Sequence, residues 1–137
     1  MKSRQVCWFE IPVQNLDRAI AFYSSILTVK IEKKLLLDKS YGIFDKNTHL
    51  ISGCLVAKEN YSPGNGTVIF FCVTDLSHAL SKTTSNNGSI VTPKTLIKQI
   101  NNAGDVMVSK NLIDENIGYF AEIIDSEGNH IGLYSNS

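Results

Sequence analysis

The feature that most constrains this chain is a self-similarity at an offset of 60 residues. Cys7–Tyr23 reads CWFEIPVQNLDRAIAFY and Thr67–Thr83 reads TVIFFCVTDLSHALSKT. Val13 falls on Val73, Leu16 on Leu76, Ala19 on Ala79 and Ile20 on Leu80. A repeat of this kind decides the fold before any single element does. In a chain of 137 residues, the length of one domain, it predicts two copies of a strand–helix–strands unit.

Each copy opens with a strand. Successive strand side chains point to opposite faces, so Cys7, Phe9, Ile11 and Val13 share one face, and Trp8, Glu10 and Pro12 the other. In the second copy Ile69, Phe71 and Val73 take the first face, and Val68, Phe70 and Cys72 the second. The first face is wholly apolar and suited to packing on helices. A helix follows each strand. Asn15 and Asp75 are good N-caps, because their side-chain oxygens accept from backbone N–H groups that have no partner in the helix. Leu16, Ala19, Ile20, Tyr23, Ile26 and Leu27 recur at helical spacing, as do Leu76, Ala79, Leu80 and Thr83. Asp17, Arg18 and His78 fall on the solvated sides. Asn86-Asn87-Gly88 supplies a stop able to take positive φ.

Short antiparallel strands complete each copy. They are expected at Val29–Leu36, Tyr41–Asp45 and Leu50–Lys58, then at Ser89–Pro93, Val106–Ser109, Tyr119–Ile124 and His130–Tyr134. Pro63-Gly64-Asn65-Gly66 links the copies, and Asp125-Ser126-Glu127-Gly128-Asn129 is a tight hairpin loop with Gly128 in the left-handed position. Segment 98–118 reads as a hairpin or as a loop over a pocket.

Composition narrows the function. Thirteen basic residues balance thirteen acidic ones, which argues against nucleic acid or an anionic membrane surface as partner. No apolar run approaches the ~20 residues that span a bilayer. Lys2 and Arg4 precede no signal-peptide h-region. Cys7, Cys54 and Cys72 form no C-x-x-C pair and read as reduced thiols of a cytoplasmic protein. No phosphate loop, nucleophile elbow or G-x-G-x-x-G pattern is present.

FEIPVQNLDRAIAFYSSIL near the start, IIDSEGNHIGLYS near the end and the PKT of Pro93–Thr95 resemble the vicinal-oxygen-chelate superfamily, which holds glyoxalases, bleomycin-resistance proteins and extradiol dioxygenases. The resemblance implies an α+β fold of two tandem βαβββ modules, about 5–60 and about 66–135, in a single domain over 1–137. Their strands form a curled mixed sheet, a cup, with helices on the convex face and a small-molecule ligand in the concavity. It also implies a homodimer. On that fold Trp8, Glu10, Val68, Phe70, His130, Gly132 and Tyr134 point into the cup.

Metal-dependent members of this superfamily hold a divalent ion with side chains on the first and last strands of each module. Alignment puts those positions at Trp8, Val68, near Ser52, and at Gly132. None is an imidazole or carboxylate, the donors such sites need. No cofactor is therefore expected, while a divalent metal at other positions stays open. A dioxygenase centre needs two His and a carboxylate. Of His49, His78 and His130, only His130 looks inward.

Glu10 is the candidate catalytic residue. A carboxylate beside Trp8 and Phe70 is expected to be partly desolvated, which would suit a general base; the plain alternative is a structural, hydrogen-bonded carboxylate. Trp8, Phe70, Tyr119 and Tyr134 form a candidate aromatic wall, with ordinary core filling as the alternative. His130 is either a proton shuttle or a hairpin residue without chemistry. Cys72 faces the cup beside Pro12, with nothing basic next to it in sequence. Three functions compete. The first is binding of a small organic molecule without a family-type metal. The second is a lyase or isomerase on a small carbonyl compound, with Glu10 as base. The third is an interaction module with a filled cup and segment 98–118 as contact surface.

Overall fold

The computed structural model describes residues 8–36, 39–45, 52–60, 62–63, 67–111 and 113–137. Cys7, His49 and most of the turn between the copies, on which parts of the sequence reading rest, lie outside them. The first copy is β1 (Trp8–Val13), α1 (Leu16–Leu27), β2 (Ile31–Leu36), β3 (Lys39–Phe44) and β4 (Ser52–Ala57). The second is β5 (Ile69–Cys72), α2 (Leu76–Ser85), β6 (Ser89–Leu96), β7 (Gln99–Ile100), β8 (Val106–Met107), β9 (Tyr119–Ile124) and β10 (His130–Ser135). Each copy makes a four-stranded sheet, in the orders β1-β4-β3-β2 and β5-β10-β9-β6. In both, the first strand pairs parallel with the last and the remaining pairs are antiparallel. The result is the α+β architecture of two βαβββ modules.

The helix starts are where the caps place them. Asn15 Oδ1 accepts from Arg18 N, and Asp75 Oδ1 from His78 N, both at 3.0 Å. Leu16, Ala19, Tyr23 and Ile26 are buried from α1, and Leu76, Ala79, Leu80 and Thr83 from α2. Phe22 is buried as well, off the expected stripe, because α2 lies alongside α1, with Asn86 Nδ2 donating to Ser25 Oγ at 3.1 Å. Thr28 closes α1 in the left-handed conformation (φ 54°), so β2 begins at Ile31 rather than at Val29.

The strand expected at Val106–Ser109 does not join the second sheet. It shrinks to β8, which pairs with β7 in a separate two-stranded ribbon. The cause is local: Asn101 Oδ1 accepts from the amides of Ala103 and Asp105 at 3.0 and 2.9 Å and folds the chain back on itself.

The modules pack on each other within one chain through aromatic rings. Phe9 of β1 meets Phe71 of β5 edge-on at 5.6 Å between centroids, Phe44 stacks on Phe71 at 5.9 Å, and Tyr23 lies 6.0 Å from Phe71. Pairs of this geometry add about 0.5–1.5 kcal/mol each beyond the area they bury.

A polar clasp completes the joint. The hairpin loop between β9 and β10 reaches back to the start of α1. Glu127, with a fully buried side chain, accepts from the amides of Gln14 (3.0 Å) and Asn15 (2.8 Å). It also takes a two-pronged contact from Arg18, Nε to Oε2 at 2.6 Å and Nη2 to Oε1 at 2.9 Å. Asp125 Oδ2 accepts from the Tyr23 hydroxyl at 2.5 Å, and Oδ1 from the amides of Glu127 and Asn129 at 2.8 Å. Gly128 turns the loop at φ 93°. Arg18, expected on a solvated face, is therefore an inter-module residue; helical periodicity could not show a partner more than a hundred residues away. Its neighbour Asp17 does sit at the surface, taking Lys33 at 2.9 Å. Among the described residues no helix is long and apolar enough to cross a membrane.

Burial pushes the Glu127 carboxyl up, but the hydrogen bonds from Arg18, the Asn15 amide and Ser126 outweigh it and hold the group at about 2, below its ordinary 4.5. A carboxyl depressed on folding stabilises the protein above its unfolded value and loses that contribution as pH falls through the folded value. The clasp is thus expected to contribute about 3 kcal/mol near neutrality, lost between about pH 5 and pH 2. Glu127→Gln should lower stability by about 2–3 kcal/mol at pH 7 and flatten that acid limb. Urea unfolding of both proteins from pH 7 to pH 2.5 measures it; an unchanged acid limb would remove Glu127 from the role.

Candidate functional site

Register sorts the two faces of each sheet, because cross-strand partners share a face. Glu10 pairs with Cys54, and Cys54 with Ile43. Phe70 pairs with Gly132, and Gly132 with Glu122. The opposite faces carry Ile11, Val13 and Leu55, or Ala121, Ile123 and Leu133, all buried in the core under the helices. The concave face of the first module therefore holds Trp8, Glu10, Ser52 and Cys54. That of the second holds Phe70, Cys72, His130 and Glu122.

Trp8 and Phe70 stand out as large apolar side chains left 41% and 45% exposed. Phe70 lies flat over Gly132. A Cβ at 132 would fall 2.3 Å from the ring, so only glycine lets the two strands and the ring coexist. Val68 immediately precedes β5 and is half-buried.

Two members of the expected aromatic wall are elsewhere. Tyr119 falls on the same face as Ala121 and Ile123 and packs against the core, with Lys94 Nζ 4.6 Å above its ring. Phe120 is the β9 aromatic with concave-face parity. Tyr134 has the right parity but is 3% exposed. Its hydroxyl donates to Asp114 Oδ1 at 2.7 Å and accepts from Asn111 Nδ2 at 2.8 Å and Asn136 Nδ2 at 3.0 Å. Buried Asn111 organises this end of segment 98–118, with Oδ1 accepting from the amides of Ile113 and Asp114. The loop thus closes over Tyr134. The hydroxyl's hydrogen bond, then that of Asn136, draws the Asp114 carboxyl below its ordinary range.

Glu10 is exposed, not desolvated as expected, and accepts from Trp8 Nε1 at 3.3 Å. Beneath it lies fully buried Cys54. Burial, then the adjacent Glu10 charge and the hydrogen bond the thiol donates to it, push the Cys54 thiol up to about 11. That thiol stays protonated near neutrality, which disfavours it as a nucleophile.

His130, first residue of β10, is mostly buried. Its Nε2 has no hydrogen-bond partner and lies 3.4 Å from Glu122 Oε1, whose other oxygen accepts from Thr92 Oγ1 at 3.2 Å. Glu122 was missed by the sequence reading, although a signal existed: it alternates with apolar Ala121 and Ile123, which puts a carboxylate mid-strand on the concave side. A cavity of about 290 Å³ lies at the β1–β5 seam, lined by Glu10 and Pro12 from one module, by Thr67, Asn129 and His130 from the other, and by Pro63 between them.

The register also revises the metal positions. Glu10 and Phe70 are repeat mates, so Cys54, partner of Glu10, is the counterpart of Gly132; the placement near Ser52 was two residues early. The family positions then carry an indole, a protonated thiol, a valine and a glycine roofed by Phe70. These residues do not fit a divalent ion. Among the described residues no group of three or more His, Cys, Asp or Glu is gathered for a metal elsewhere.

The fold is that of the glyoxalase/bleomycin-resistance/dioxygenase proteins, the vicinal-oxygen-chelate architecture that the motifs resemble. A hypothetical protein from S. aureus matches 98% of this chain over 99% of its own, with TM-score 0.63 and 19% identity. An E144Q mutant of glyoxalase I from Zea mays matches 95% of the chain with TM-score 0.67 and 17% identity; the chain spans 46% of that protein. FosX from Listeria monocytogenes, a fosfomycin-resistance protein complexed with Mn(II) and sulfate, matches 100% of the chain and 95% of its own, with TM-score 0.64 and 9% identity. At such identities the likeness establishes the fold. No protein-family model matches the sequence, and no curated protein does.

The Phe70–Gly132 contact is testable. Gly132→Ala should cost about 1–3 kcal/mol, as overpacking does. In a Phe70→Ala background most of that cost should vanish. Additive losses in the double mutant, read by thermal unfolding, would place the ring elsewhere.

Proposed function

We propose that the concave face binds a small organic molecule, and does so without a family-type metal centre. The observation that carries this is the exposure of Trp8 and Phe70 on the concave face, with Glu10 of the same face lining the cavity at the module seam. A monomeric domain rarely leaves large aromatic side chains on a concave surface unless something packs there. The ring of Phe70 lies over the glycine where metal-dependent relatives place a ligand. It thus adds contact area for a ligand where those relatives spend a donor.

The reading favours binding over catalysis by Glu10, since that carboxylate is exposed and takes a hydrogen bond from the Trp8 indole. The site of action would be the cytoplasm, in keeping with unpaired thiols. The protein would assemble as a homodimer, which sedimentation equilibrium checks directly.

The deciding experiment combines elemental mass spectrometry of untagged protein, purified without chelators, with thermal melting. Metal well below one equivalent is expected, with no rise in Tm on adding Zn²⁺, Ni²⁺ or Mn²⁺. A screen of small aromatic compounds is expected to give saturable changes in Trp8 fluorescence, Trp8 being the single tryptophan of the chain. Near-stoichiometric metal with a raised Tm would overturn the metal-free reading.

A further inference from the structure

The cavity at the module seam offers an occupant one carboxylate and one imidazole, beside the hydroxyls of Ser62 and Thr67, which can donate or accept. Glu10 brings a carboxylate from the first module. Asn129 lines the same space, but its amide donors are spent on the Pro12 carbonyl (2.9 Å) and on Asp125 (3.0 Å). His130 enters from the second module, and its tautomer follows from its neighbour. A lone pair at buried Nε2 would face Glu122 Oε1, 3.4 Å away, with nothing to compensate it. A proton at Nε2 is instead drawn to that carboxylate. In the neutral imidazole the carboxylate favours the hydrogen on Nε2, which leaves Nδ1 as an acceptor. Thr92 holds Glu122 in place through its other oxygen (3.2 Å). Beside Glu10 stands the 41% exposed indole of Trp8, which donates to the same carboxylate. Among the described residues Lys34 and Lys39 share the concave-face parity and Lys58 lies within electrostatic reach of Cys54, but the described residues that line the cavity include no lysine or arginine.

We infer that the seam cavity is a site for a small organic cation, an aryl-alkyl ammonium or amidinium. Glu10 takes the charge, the Nδ1 of His130 accepts a second hydrogen bond, and Glu122 positions His130. At about 290 Å³ the cavity suits a single ring with a short arm. This rests on the proposed binding role and names its ligand class.

The test titrates the full chain with benzylamine, benzamidine, benzyl alcohol and benzoate, reading Trp8 fluorescence and calorimetry. The two cations should bind saturably, and at least about tenfold more tightly than the alcohol or the anion. Glu10→Gln, at an exposed position, should weaken benzylamine about tenfold and benzyl alcohol by much less. Glu122→Gln should weaken benzylamine and move the ¹⁵N signals of the His130 ring away from the Nε2–H tautomer, a change that a purely structural role would not produce. If the alcohol or benzoate binds as tightly as the amines, or Glu10→Gln has no effect, the cation site is overturned while ligand binding by the cup stands. If no probe binds, both fall.

Discussion

Everything in this molecule depends on the clasp between the last hairpin loop and the first helix. Each module alone leaves an apolar sheet face and a single short helix, too little to bury a core. The clasp joins them across more than a hundred residues: Glu127 spans the start of α1 and Arg18, while Asp125 receives the hydroxyl of Tyr23. A buried carboxylate is costly unless hydrogen bonds repay its lost hydration, and here donors from Gln14, Asn15, Arg18 and Ser126 surround it. The same loop sets the direction of β10, so the clasp also determines where His130 and Gly132 sit relative to Glu10.

With the modules locked, the aromatic rings divide by face. Phe9, Phe44 and Phe71 fill the seam under the helices, and Trp8 and Phe70 are left on the concave side. One glycine sustains the asymmetry between the copies. Where the first module sets Glu10 over Cys54, the second sets Phe70 over Gly132. The two equivalent strand pairs thus differ, a carboxylate over a thiol in one module and a ring over a glycine in the other. The acid end is poised over a thiol that burial, and after it the Glu10 charge, keeps protonated.

Much of the fold was readable from the chain. The repeat, the alternation of both first strands, and the caps Asn15 and Asp75 are local signals, and the structure follows them. The failures share a cause. Tyr119 was assigned to the cup as one more aromatic, although its alternation with Ala121 and Ile123 pointed to the core. Tyr134 had the correct face, yet the Asn111–Asp114 loop covers it, and no periodicity shows which loop folds over which strand. Arg18 looked solvated because its partner lies in the other module. The burial of Glu10 was overestimated, since neighbours along one strand do not reveal whether the facing wall is near.

What the sequence determined by itself is the architecture: two modules, the face each strand turns to its helices, and the helix starts. These follow from rotations of about 100° per helical residue and 180° per strand residue, which are properties of the local backbone. Only the tertiary structure decided which groups meet: Glu127 with Arg18, Phe70 with Gly132, His130 with Glu122, and Glu10 with His130 across one cavity. Those pairings depend on register and on how two modules dock. Distant contacts of that kind leave no periodic trace in a single chain, because their energy is collected only after both partners have been placed.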